Sequence, residues 1–131
     1  MIALDTSAIV AIACSEPEEE AFNRLIALKE ALVGTPTLLE TRLVLESKLP
    51  EFADEFMKEF LDSRFIHPVA FSLHMYDEAL TAFRRYGKGR ESAAALNFGD
   101  CMAYAVAKAH DAPLLYKGND FRRTDIVPAL P

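Results

Sequence analysis

Short apolar runs alternating with longer stretches of helical periodicity constrain this chain more than any other feature. Ile2-Ala-Leu4 is too short for a helix and stops at Asp5-Thr6-Ser7, so it reads as a buried strand followed by a helix N-cap and a helix from Ser7 to about Cys14. Ala31–Val33, Phe65–Ala70 and Pro113–Tyr116 read as further strands, and Ile126-Val127 as a short last one. Between them, a helix starts at Glu16-Pro17, where proline suits the first turn, with Ala21, Leu25 and Leu28 as its apolar stripe. Gly34-Thr35-Pro36-Thr37 opens a helix to about Lys48, and Glu51 to about Leu61 forms an amphipathic one carrying Phe52, Phe56 and Phe60. Ser72 caps a helix to about Tyr86, residues 87–97 form a loop, and Gly99 to about His110 is the last helix. Strands separated by helices at this spacing predict an α/β sandwich: a central parallel sheet of four to five strands covered by helices. At 131 residues, without repeat, linker or low-complexity tract, the chain reads as a single domain spanning 1–131.

Composition removes several classes. With 51% hydrophobic and 26% charged residues, intrinsic disorder is excluded. No apolar stretch reaches the ~20 residues of a membrane span, and the start carries no basic signal-peptide region. Cys14 and Cys101 allow at most one bridge, and their apolar helical contexts point to free thiols in a reducing, cytoplasmic setting. The net charge of −6 hides an asymmetry. Residues 16–62 hold twelve acids and five bases, whereas residues 84–123 hold eight bases and four acids, so a local phosphate-attracting face is available on an acidic protein.

In open parallel sheets, ligands bind beyond the carboxyl ends of the strands. Asp5 directly follows the first strand, Asp120 follows the strand 113–116 across the turn Lys117-Gly118-Asn119, and Asp100 lies in the first turn of the last helix. Each has a structural reading too, because aspartate caps helices and complements their N-termini. Glu40 is placed beside an apolar helix stripe with no near arginine positioned to neutralise it, so it needs a distant partner. Four acids at one end of a sheet repel each other unless a cation intervenes, and oxygen ligands without Cys or His favour Mg²⁺ or Mn²⁺. His67, His74 and His110 are isolated, which argues against zinc. No phosphate loop, G-x-S-x-G elbow or Cys/His pairing is present. By elimination, metal-dependent phosphodiester hydrolysis through an activated water fits best.

The blocks Ile2–Ile9, Glu40, Leu96-Asn-Phe-Gly-Asp-Cys-Met-Ala-Tyr-Ala105 and Leu114-Leu-Tyr-Lys-Gly-Asn-Asp-Phe121 with Thr124-Asp125 resemble the PIN-domain family. The closest subgroup is the VapC-type toxin ribonucleases of toxin–antitoxin pairs. The resemblance implies a PIN-like α/β/α sandwich and a site built from Asp5, Glu40, Asp100 and Asp120. Asp5 and Asp100 would be the principal Mg²⁺ ligands, with Mn²⁺ possible in its place, and Asp120 would complete the set directly or through water. Glu40 would ligate metal or steer the attacking water, and Thr6 or Ser7 would supply a hydroxyl beside the first acid. It further implies an endoribonuclease leaving a 5′-phosphate and a 3′-hydroxyl, a homodimer, and a VapB-type antitoxin that blocks the site.

In that context the basic residues gain a role, with Arg122, Arg123 and Arg90 as candidates to hold RNA phosphates. The stripe Phe52, Phe56 and Phe60 is either core or part of a groove for an antitoxin helix. A haloacid-dehalogenase-like phosphatase would need an acid where Ser7 stands, and a receiver-type phosphoacceptor would need an acidic pair after the first strand and an aspartate after the third. The remaining alternative is a catalytically inactive PIN-like module that binds RNA or protein.

Overall fold

The computed structural model describes residues 1–131. Strand β1 (Ile2–Leu4) runs parallel to β2 (Ala31–Gly34) on one side and to β4 (Leu114–Leu115) on the other. Strand β3 (Ile66–Val69) completes the sheet beyond β2, giving the order β3–β2–β1–β4. Six helices connect and cover the strands: α1 (Thr6–Ala13), α2 (Glu19–Lys29), α3 (Thr35–Lys48), α4 (Ala53–Asp62), α5 (Leu73–Tyr86) and α6 (Phe98–Ala109). The parallel sandwich expected from the alternation is present, with four strands. Ile126-Val127 does not form a fifth; the tail meets β4 only through one bridge, Leu114 to Pro128.

The layering follows from the two-residue period of a strand. Ala3, Leu32 and Leu114 point to one face and join Cys101, Ala103, Tyr104, Val106 and Met75 from α5 and α6. Ile2, Leu4, Ala31, Val33 and Leu115 point to the other and join Ala8, Ile9, Ile12, Phe22 and Ile26 from α1 and α2. Helix α6 is buried on nearly every side, which its run of alanines permits. At Gly34 a β-carbon would come within 2.7 Å of Val106 Cγ2, so glycine sets how closely α6 approaches the end of β2.

One expectation about helix faces is corrected. Helix α2 starts at Glu19 rather than Glu16, and its buried residues are Phe22 and Ile26, while Leu28 is 74% exposed. The stripe sits about one position away from Ala21, Leu25 and Leu28, because Phe22 and Ile26 are the residues that reach the α1 and strand surface. In α4 the fully buried residues are Ala53 and Met57. Phe56 and Phe60 are half-buried and stacked on each other at 5.9 Å, and Phe52 is exposed. These rings cover the core on one side and line a cavity of about 350 Å³ between α2 and α4, with Ile12, Ile26 and Phe65 on its other walls. No helix is long and apolar enough to cross a membrane, and both cysteines are free.

Candidate active site

The strand order reverses direction between β1 and β4, since the chain moves from β1 outward to β2 and β3 and then returns to the opposite side. A crevice therefore opens at the carboxyl ends of these two neighbours, the position where open α/β sheets bind ligands. Asp5 lies at the end of β1 and the turn Lys117–Asp120 at the end of β4. Asp100 enters from the first turn of α6, and Glu40 from the middle of α3.

Asp5 is the N-cap of α1, and its Oδ2 accepts from the Ser7 backbone N–H at 3.1 Å and from the Ser7 hydroxyl at 2.6 Å. The Ser7 hydroxyl in turn accepts from the backbone N–H of Lys117 at 2.9 Å. One side chain thus ties the first acid to the turn that carries Asp120. Asp100 sits at the third position of α6 in a reciprocal capping box: its backbone N–H donates to Asn97 Oδ1 at 2.8 Å, and its Oδ2 accepts from the Asn97 backbone N–H at 3.0 Å. The capping readings of both aspartates are correct, yet each uses only one carboxylate oxygen in them.

Glu40 has the distant partner it needs, and it is not a cation. Thr6 donates its hydroxyl to Glu40 Oε1 at 2.5 Å, and the carboxylate lies flat against Gly99. A β-carbon on Gly99 would overlap both carboxylate oxygens and come within 2.5 Å of the carboxyl carbon. Only a glycine next to Asp100 lets the two acids approach in this way. Neither Asn97 nor Gly99 stands out in the sequence as a site residue. The Asn-x-x-Asp spacing was the available signal for Asn97, whereas Gly99 is explained only by a residue far away in the chain.

The electrostatics match this geometry. Burial pushes the Asp5 carboxyl up to about 6, against the pull of its Ser7 bonds and with the charges of Glu40 and Asp120 adding to the rise. Burial also pushes Asp100 up to about 7, reinforced by Asp5, Asp120 and Glu40. Asp5 and Asp100 therefore both feel the charges of Glu40 and Asp120. None of them takes part in any ion pair of the molecule. Lys117, on the turn that carries Asp120, pairs instead with Glu16 and Glu18 at 3.3 and 3.2 Å. No three His, Cys, Asp or Glu side chains are close enough to enclose an ion by themselves. Oxygen-only donors with room left over suit an ion such as Mg²⁺, which is held by one or two carboxylates and keeps several waters.

Asp120, Arg122 and Arg123 are exposed on the segment after β4, where Arg122 lines a cavity with Glu18, Phe22 and Ile126, and Arg90 is exposed on the loop before α6. Asp125 belongs elsewhere: it accepts from the buried Tyr104 hydroxyl at 2.7 Å and pairs with Lys108 and Arg85, fastening the C-terminal segment to α5 and α6. Beside the crevice, Phe98 is 79% exposed and joins Pro36, Tyr76, Leu80, Phe83 and Met102 around an apolar cavity of about 560 Å³.

A family model described as PIN domain matches residues 2–127. The chain is 41% identical over 130 residues to a Mycobacterium tuberculosis protein named ribonuclease VapC30, covering 98% of each. It is also 41% identical over 124 residues to a ribonuclease VapC of Mycolicibacterium smegmatis, covering 94% of this chain and 95% of the relative. Among solved structures it is similar to Mycobacterium tuberculosis VapC20, described as a sarcin-ricin loop cleaving toxin, with a TM-score of 0.76, 19% identity and 97% of both chains covered. VapBC2 from Rickettsia felis, solved with a fragment of promoter DNA, superposes with a TM-score of 0.72 at 19% identity, covering 98% and 97%.

Proposed function

The chain belongs to the PIN domain family, and we propose that it is an endoribonuclease dependent on Mg²⁺ or Mn²⁺, the toxin of a VapBC-type toxin–antitoxin pair. The observation that carries this reading is the gathering of Asp5, Glu40, Asp100 and Asp120 at the switch point with no cationic side chain to neutralise them. Two buried carboxylates with raised proton affinity and one open oxygen each are costly unless a cation is their purpose. The naming of full-length relatives as VapC ribonucleases supports the substrate class.

Asp5 and Asp100 would hold the ion, with Asp120 completing the set from the β4 turn. When bound, the ion lowers the pKa of water and screens the charge that builds on the phosphate during in-line displacement. The protein's own groups do the orienting. Ser7 fixes Asp5 against the β4 turn, and Asn97 fixes Asp100. Thr6 fixes Glu40 through Oε1, which sets the carboxylate to steer the attacking water and receive its proton. Arg122 and Arg123, exposed shortly after Asp120, would hold RNA phosphates beside the scissile one.

The half-buried aromatic groove between α2 and α4 is suited to an apolar helix of a VapB-type antitoxin. The face around Phe98 is suited to a second copy of the chain, since exposed aromatic side chains such as Phe98, Tyr76 and Phe83 gathered around an apolar cavity are a recurrent feature of association surfaces. The test of the activity is cleavage of a labelled structured RNA with Mg²⁺ or Mn²⁺, against EDTA and the Asp100→Asn variant. Cleavage that needs the metal and is lost in the variant supports the reading. RNA binding by wild type and variant alike, with no cleavage by antitoxin-free protein in either metal, overturns it in favour of a binding module.

A further inference from the structure

The basic residues fall into two classes. Arg24, Arg42, Arg85, Lys108 and Lys117 are each paired with an acid of the protein itself. The other nine have no such partner, among them Arg84 in the last turn of α5 and Lys88 and Arg90 on the loop that follows, which is ordered by its own bonds. Arg90 N–H donates to Gly87 O at 3.0 Å and Ser92 N–H to Arg90 O at 2.8 Å. Gly89 takes the left-handed conformation, φ +87°, that turns the loop back on itself. The result is a cavity of about 350 Å³ lined by Arg84, Arg85, Gly89, Arg90 and Glu91, with no apolar residue in its wall.

Two unpaired guanidinium groups, Arg84 and Arg90, and a third, Arg85, shared with Asp125 surround this cavity with only Glu91 as an acid in its wall, and the set suits a phosphate. Planar Arg donors match phosphate oxygens in pairs, and a backbone phosphate needs no apolar anchor. An acidic peptide segment, by contrast, would ordinarily add an apolar contact that this wall does not offer. Arg90 is also steadied over the Phe83 ring at 5.7 Å, and Arg85 over Tyr86 at 4.8 Å, so the groups are partly arranged before any ligand arrives.

The loop is fixed relative to the acidic site. Gly87 bridges to Leu96, Lys88 N–H donates to Leu96 O at 2.9 Å, and Leu96 immediately precedes the Asn97–Asp100 capping box. A bridge of about 5 Å followed by four residues of at most ~3.8 Å each keeps Gly87 within roughly 20 Å of Asp100. That is a span of a few nucleotides.

We propose that the Arg84–Arg85–Arg90 cavity is a second phosphate subsite, which grips the backbone of a single-stranded RNA a few nucleotides from the bond cleaved at Asp100. The inference rests on the ribonuclease reading and adds the place where the substrate's flanking strand is held. It makes affinity depend on strand length and on salt, without base preference.

The experiment measures binding of a labelled oligouridylate, long enough to span both sites, in the Asp100→Asn background with Mg²⁺. Arg84→Gln/Arg90→Gln is compared with Lys48→Gln/Lys58→Gln, which removes the same charge from the acidic half of the chain, and thermal melting checks that both are folded. The subsite predicts roughly tenfold weaker binding for the Arg pair and a salt slope shallower by about 1.4, with little change for the Lys pair. An unchanged slope for the Arg pair, alongside metal-dependent cleavage by wild type, overturns the subsite and leaves the nuclease standing. Loss of poly-glutamate binding with oligouridylate binding intact overturns it in favour of an acidic protein partner. No RNA binding and no cleavage by wild type overturns both readings.

Discussion

Replacing Gly99 with alanine separates folding from function in a way that the geometry makes quantitative. A methyl group there would overlap the Glu40 carboxylate, so Glu40 must swing away and release the Thr6 hydroxyl. A hydrogen bond to a charged group is worth about 1.5–3 kcal/mol. Against that loss, alanine is favoured over glycine inside a helix by about 0.5–1 kcal/mol. The net change in folding stability is therefore a modest decrease of about 1–2 kcal/mol, small enough to keep the protein folded. If Glu40 must stay in its seat to receive the water's proton, losing the bond that holds it slows cleavage by about tenfold to a hundredfold. The assay is initial-rate RNA cleavage with Mg²⁺ by wild type, Gly99→Ala, Glu40→Ala and the double variant, with urea denaturation of each. In the Glu40→Ala background the clash is gone, so Gly99→Ala should cost no further activity and should slightly stabilise the protein. Wild-type rates for Gly99→Ala, or activity losses that simply multiply in the double variant, would refute the idea that Gly99 acts through Glu40.

Other consequences follow from the same contacts. Between about pH 4 and pH 7 the folded state holds protons on Asp5 and Asp100 that the unfolded chain has released, so the stability of the metal-free protein falls as pH rises through that window. The loss is a few kcal/mol, less than the sum of two separate groups because the acids share their repulsion. EDTA-treated protein should melt lower at about pH 8 than at about pH 5, with Mg²⁺ restoring the difference at the higher pH. Ser7→Ala removes the bridge between Asp5 and the Lys117 turn and should cost about 1 kcal/mol in urea denaturation, with a larger proportional loss of cleavage. Asp125→Ala leaves the buried Tyr104 hydroxyl without its acceptor and should destabilise by about 1–3 kcal/mol, read as a lower denaturation midpoint. Its cleavage rate should stay within a few-fold of wild type at temperatures where it is folded.

Legibility in the sequence follows the range of the interaction. Asp5, Asp100 and Asp120 are readable because strand ends and helix starts are local signals and the site is built on them. The elements themselves were visible, since each strand is a short apolar run and Ser72 caps α5 as expected. What local pattern does not encode is pairing across the chain. The helix position of Glu40 calls for a partner, but the Thr6 hydroxyl that meets it stands 34 residues away. The role of Gly99 depends on that same contact. The face of α2 was misplaced because Ala21, Leu25 and Leu28 fit a helical stripe as well as Phe22 and Ile26 do, and only the packing against α1 decides between them. The order β3–β2–β1–β4, which creates the crevice, is likewise a tertiary fact.

The central claim is that Asp5 and Asp100 together form a divalent-cation site, and calorimetric titration of Mn²⁺ into metal-free protein at about pH 6, where both carboxyls still carry protons, tests it most directly. Wild type should bind with proton release, because both carboxyls must give up protons whose affinity burial has raised. Asp5→Asn and Asp100→Asn should each abolish that binding while remaining folded by circular dichroism. Equal Mn²⁺ binding by wild type and both variants, or none by a folded wild type, would contradict the account.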